Sequence, residues 1–241
     1  MGRGATSGNA QKMESFVTES GQASLRTRVA RSATPWQRHV MRLTTLLAGL
    51  FILAVALVLG LQSNLGADCW TVFQDAISRH TPLTIGQASQ LVGLVMLGIG
   101  WAAGIRPGLG TVLNMILVGL FMDLILAADV IDLAGPYPLR VGMLLAAIAL
   151  IGLGTGLYLK AGYGAGPRDG VNLALMRLFG WPIGRTRWLV ESTVAVIGIA
   201  LGGRFGIGTI IFALLIGPAV SGGFKLVGLP QHAADPRRQQ G

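Results

Sequence analysis

The chain has 241 residues, of which 52% are hydrophobic and only 12% charged, and its mean hydropathy is +0.62. A soluble domain carries about 25% charged residues, so this composition excludes an ordinary soluble fold and points to a helical membrane protein in contact with a lipid bilayer. The net charge of +9 would suit nucleic acid, but the basic residues sit in the N-terminal tail and beside apolar segments, where orientation-setting charges belong; no nucleic acid is expected.

Residues 1–41 are rich in Gly, Ser, Thr, Gln and Arg and read as a basic flexible cytoplasmic tail. The apolar run from Leu43 to Leu61 is longer than the roughly 7–15 residues of a signal-peptide core and long enough to cross about 30 Å of hydrocarbon. After it, 66–84 is too polar to span, yet Trp70, Val72, Phe73, Ala76 and Ile77 fall at helical spacings, so a short helix is expected, either interfacial or folded back into the protein. Spans are expected at 87–104 and 111–130, with a tight turn at Ile105–Gly110 between them.

The second half repeats the first. A shift of 98 residues carries Gly66-Ala67 onto Gly164-Ala165, Ile85-Gly86 onto Ile183-Gly184, and Arg106-x-Gly-x-Gly-Thr111 onto Arg204-x-Gly-x-Gly-Thr209. Two membrane repeats, 42–123 and 140–224, are therefore joined by an extracytoplasmic linker, 124–139, and followed by a polar cytoplasmic tail, 225–241. The repeat places spans at 141–159, 188–202 and 209–224. It also places a second short helix at 164–180, opened by Pro167, closed by Gly180-Trp181-Pro182, and burying Leu173, Met176, Leu178 and Phe179. Three spans per copy is odd, so the second copy enters the membrane from the opposite side. The fold class is an all-α polytopic membrane protein of about six transmembrane helices in two inverted three-helix repeats, each with an extra short interfacial or re-entrant helix.

Charge supports that orientation. One side holds the N-terminal tail, Arg106, the cluster Lys160, Arg168, Arg177, Arg185 and Arg187, and the C-terminal tail; the other holds Asp68, Asp75, Arg79, Asp129, Asp132, Arg140 and Arg204. The cation-rich side, with both termini, is cytoplasmic.

No nucleophile, base or paired carboxylate stands at a catalytic spacing, so an enzyme is not expected. A single Cys69 excludes an intrachain disulfide and a Cys-rich metal site; no metal or other cofactor is expected. Two candidate features remain. The glycine turns Arg106, Gly108, Gly110, Thr111 and Arg204, Gly206, Gly208, Thr209 either present backbone N–H groups and a guanidinium to an anionic group at a helix start, or simply permit a tight turn with an arginine at the headgroups. Among polar groups inside spans, Asn114, Asp123 and Glu191 either bind a cation or relay protons, or satisfy neighbours. Asn114 and Asp123 share one helix side, and Glu191 stands four residues after Arg187. Gly100-x-x-x-Gly104 and Gly198-x-x-x-Gly202 suit close helix packing within the chain, or a homodimer face.

The segments Leu65-Gly66-Ala67 and Tyr163-Gly164-Ala165-Gly166-Pro167-Arg168-Asp169-Gly170, with Ile183-Gly184 and the second glycine turn, resemble the YczE branch of the YczE/YyaS/YitT family of bacterial integral membrane proteins. Such proteins commonly read Leu-Gly-x-Gly-Pro-Trp-Asp at the first element, where this chain has Arg168 in place of the tryptophan. The resemblance implies a multi-pass protein of the bacterial plasma (inner) membrane and adds Asp169 to the candidate residues. It carries no catalytic residues. The expected function is a small secondary transporter or permease for a small solute, with an anionic one suggested by the arginine-glycine turns; the alternative is a membrane accessory protein that holds a partner enzyme or exporter.

Overall fold

The computed structural model describes residues 34–132, 135–181 and 183–229, and all regular structure among them is helical. The helices are α1 (Pro35–Gln62), α2 (Cys69–His80), α3 (Ile85–Ala102), α4 (Leu109–Ala127), α5 (Tyr137–Lys160), α6 (Pro167–Phe179), α7 (Ile183–Ala200) and α8 (Ile207–Val227). Five of them, α1, α3, α4, α5 and α8, are long and apolar enough to cross a membrane, while the apolar part of α7 is the shorter Trp188–Ala200.

The chain divides into two units at Arg42. In the described part of the first, the Thr34 amide donates to the Gln37 side chain at 2.9 Å and the Gln37 amide to the Thr34 hydroxyl at 3.3 Å. This reciprocal cap, followed by Pro35, starts α1 inside the stretch assigned to the flexible tail, because a capped Pro-led turn extends a helix beyond its apolar run. The rest of the tail lies outside the described residues.

In the second unit, local sequence chemistry sets the helix ends. Asp68 accepts the Trp70 and Thr71 amides and so caps α2; Thr84 and Gln87 form a capping box for α3; Pro167 opens α6, which Gly180 ends in the left-handed region at φ 65°. Small residues set the packing. Gly152 of α5 and Gly223 of α8 lie backbone to backbone, as do Gly86 of α3 and Gly119 of α4, leaving no room for a side chain at any of them. Of the small-residue pairs, Gly100 meets Gly170 of α6 and Gly198 meets Phe73 of α2, both within the chain, whereas Gly104 and Gly202 take positive φ and end their helices.

The short helices are folded into the protein rather than laid on its surface. Trp70, Thr71, Val72, Gln74, Asp75 and Ala76 of α2 are buried against α7 and α3, and α6 packs on α3, α7 and α4. In α6 the inward side is Val171, Asn172 and Ala174, while Leu178 and Phe179 are exposed. The expected burial of those last two is thus corrected. Phe179 stacks instead on Trp181, ring centroids 5.1 Å apart, and in a protein in contact with a bilayer an exposed apolar side chain carries little penalty, because acyl chains are as apolar as a protein core.

Candidate functional site

Main-chain bonds tie the two copies together in matching fashion. The Gly110 amide donates to the Tyr163 carbonyl at 2.7 Å, and 98 residues on in donor, 98 back in acceptor, the Gly208 amide donates to the Leu65 carbonyl at 2.8 Å. The Thr111 hydroxyl donates to the Ala165 carbonyl at 2.7 Å and accepts the Gly108 amide at 3.2 Å. In the other copy Thr209 accepts the Gly206 amide and sits against Gly66. Gly66 and Gly164 take φ of 107° and 113°, which only glycine adopts without strain, so each can fold its loop onto the opposite turn.

Between these joints lies a cavity of about 220 Å³ lined by all eight helices. Most of its lining comes in pairs of equivalent residues, one from each copy: Leu53 with Ile151, Asp68 with Gly166, Trp70 with Arg168, Gln74 with Asn172, Gly93 with Glu191, Asn114 with Phe212. The first turns of α2 and α6 both open onto it. The Arg168 guanidinium lies over the Trp70 ring at 4.7 Å from the centroid, and its Nη1 is 3.7 Å from Asp68 Oδ2. Asp68 and Arg168, which charge counting put on opposite faces of the membrane, therefore meet; the rule reads loops near span ends, and these residues belong to helices that point inward. Cys69, also in the lining, has its thiol pushed up to about 11 by burial and by the Asp68 and Glu191 carboxylates.

Gln74 and Asn172 are 1% and 6% exposed, and their carbonyl oxygens, Oε1 and Oδ1, have no hydrogen-bond partner among the described residues. Such orphaned buried groups are uncommon and costly. Sequence reasoning missed both, although the 98-residue shift aligns them as two carboxamides at one position of the two short helices.

The other candidates separate. Asn114 and Glu191 line the cavity. Asp123 does not: it accepts the Thr84 hydroxyl at 2.6 Å and the Gly86 amide at 2.9 Å, so it holds the start of α3. Arg204 lies off the cavity too. Its Nε and Nη2 donate to Asp75 Oδ1 at 3.2 and 3.1 Å, its amide to Oδ2 at 3.0 Å, and Arg79 adds a bond at 2.9 Å. Burial opposes ionisation of Asp75, but the bonds from Arg204 and Arg79 outweigh it and hold the carboxyl below its ordinary range. Arg106 faces a more open recess of about 370 Å³ with Gly108, Thr111 and Tyr163. The amides of Gly108, Gly110, Gly206 and Gly208, which the sequence allows either to cradle an anion or simply to form a tight turn, are engaged by the chain's own carbonyls and hydroxyls. The expectations placed on Asp169 and on an Arg187–Glu191 pair fall outside the described side chains. Among the described residues no group of three His, Cys, Asp or Glu could hold a metal ion.

Comparison with known proteins agrees with the motif reading. The family of unknown function DUF6198 matches residues 40–223. The chain is 33% identical over 188 residues to an uncharacterized membrane protein of Bacillus subtilis, YczE, covering 75% of this chain and 84% of that one. It is 36% identical over 187 residues to an uncharacterized protein of Haemophilus influenzae, covering 77% and 84%, and 28% identical over 178 residues to YyaS of Bacillus subtilis, covering 70% and 85%. No solved structure matches. A match across most of the chain makes this protein a member of the DUF6198 family of unknown function, and it is similar in sequence to the membrane protein YczE and to YyaS.

Proposed function

We propose that the protein is a small secondary transporter of the bacterial inner membrane, built as two inverted repeats whose shared cavity holds the solute. The observation that carries this reading is the cavity itself, roofed by residues from both copies at equivalent positions. In a pair related by a two-fold axis every contact recurs with the partners exchanged. The Gly110–Tyr163 and Gly208–Leu65 bonds behave so, and the equivalent residues Trp70 and Arg168 touch, as residues on the axis must. With three crossings per copy, that axis lies in the membrane plane and the cavity near its middle.

Six crossings are supported by where contacts fall. Gln62 bonds Ile131, His80 bonds Leu201, and Asp75 bonds Arg204, all joining ends that six alternating crossings put on the outer side. Lys160 bonds Val227 and Gly110 bonds Tyr163, joining ends on the inner side with both termini.

A transporter of this kind predicts protein-dependent uptake of small solutes by reconstituted vesicles. Vesicles that hold folded protein and take up nothing from a mixed-solute screen, while the chain retrieves a partner enzyme or exporter, would instead identify an accessory protein.

A further inference from the structure

We infer that the cavity takes a small uncharged polar solute, one able both to donate and to accept hydrogen bonds, rather than an anion. This rests on reading the cavity as the solute site. Its open hydrogen-bonding capacity belongs to neutral groups: Gln74 and Asn172, nine-tenths or more buried, lie in the lining with their carbonyl oxygens unpartnered among the described residues. They are also equivalent positions and, among the described lining residues, the one pair in which both copies carry an uncharged polar side chain. A carboxamide accepts from N–H or O–H and donates to a carbonyl or hydroxyl, so two of them on opposite sides of an axis suit a molecule with both functions.

Charge is selected against from both directions. Arg168 is engaged with Asp68 and Trp70, and the Asp68 and Glu191 carboxylates in the same lining disfavour an anion. Cations meet the Arg168 guanidinium and the electropositive first turn of α6, which has no side-chain cap, the arrangement by which half-helix ends exclude cations from a pore. Size sets the remaining limit: a cavity of about 220 Å³ suits a molecule of glycerol or small-amide dimensions better than a disaccharide.

Cys69, the single thiol, lines the cavity and reports occupancy. The full-length protein in detergent is alkylated with N-ethylmaleimide in the presence of acetamide or glycerol, and of acetate or tetramethylammonium as charged probes of like size, with sucrose as an excluded control. Acetamide and glycerol are expected to slow alkylation about threefold at a concentration of about twice their Kd, as the free fraction falls with 1/(1 + [L]/Kd); acetate and tetramethylammonium should leave it unchanged. The double replacement Gln74→Leu/Asn172→Leu should abolish that protection while raising the thermal midpoint, since it removes orphaned groups. Protection by acetate or tetramethylammonium alone, protection by none, or protection kept in the folded double variant each overturn the inference, and the wild-type comparison stands without any variant. Protection by acetamide without vesicle uptake would sink the transport reading and leave the ligand class standing.

Discussion

Arg106 and Arg204 occupy the same place in the two repeats, yet their removal should have unequal cost. Arg204 donates from Nε, Nη2 and its amide to Asp75, whose side chain is only 3% exposed, whereas Arg106 is exposed and pairs with no described acid. Arg204→Met deletes the guanidinium bonds and leaves the carboxylate with the backbone amide and Arg79. Charge-assisted bonds contribute about 1.5–3 kcal/mol each, but the Arg204 side chain is 35% exposed, so solvent screening reduces this and we expect about 2–3 kcal/mol in total. Arg106→Met should cost below about 0.5 kcal/mol, as surface changes do. Unfolding in mixed micelles by detergent titration, followed by circular dichroism, measures both. A cycle with Asp75→Asn should give a coupling of at least about 1 kcal/mol. Because the folded carboxyl sits below its unfolded value of 3.8, the contribution is fully present above about pH 4–5 and disappears as pH falls through the folded value. Equal costs for the two arginines, or no coupling, would refute the reasoning.

Glycine positions give a second contrast. Gly223→Ala drives a methyl into the Gly152 carbonyl of α5 and should destabilise by roughly 1–3 kcal/mol, while Gly217→Ala, with open space around it, should be neutral or gain up to about 1 kcal/mol, both read in the same titration. Cys69 should alkylate about a hundredfold more slowly at neutral pH than a thiol of pKa 9.0, with a rate still rising near pH 10, since its pKa is about 11; a plateau near pH 9 would contradict the burial of that thiol. Replacing Gln74 and Asn172 together by leucine should stabilise by about 1–3 kcal/mol per orphaned group removed, less any loss of packing, which thermal unfolding in detergent would detect.

What the sequence made legible was periodic or cumulative. The 98-residue shift is visible because glycine turns have few alternatives, and those turns are where the copies bond one another. The long apolar helices follow from composition, with ends displaced by caps at Thr34 and Thr84 rather than by hydrophobicity. The inner face of α6 was not legible, since in a bilayer-contacting protein an apolar side chain such as Leu178 can stay exposed at little penalty. Asn114 and Asp123 share a helix side, but nine residues at ~1.5 Å each put them about 13 Å apart, enough for one to line the cavity and the other to hold α3. Arg204 and Arg106 read alike because their motif is the same; only the fold brings Asp75 to one of them.

The opposed orientation proposed for the two copies can be tested on equivalent exposed positions. In a Cys69→Ser background, Pro107→Cys and Phe205→Cys occupy the same place in the two glycine turns, and both native residues are exposed. A membrane-impermeant maleimide applied to intact cells should label Phe205→Cys at once and Pro107→Cys only after the membrane is opened. Equal labelling of the two in intact cells would contradict the inverted repeat, and with it the cavity at its centre as a path between the two sides.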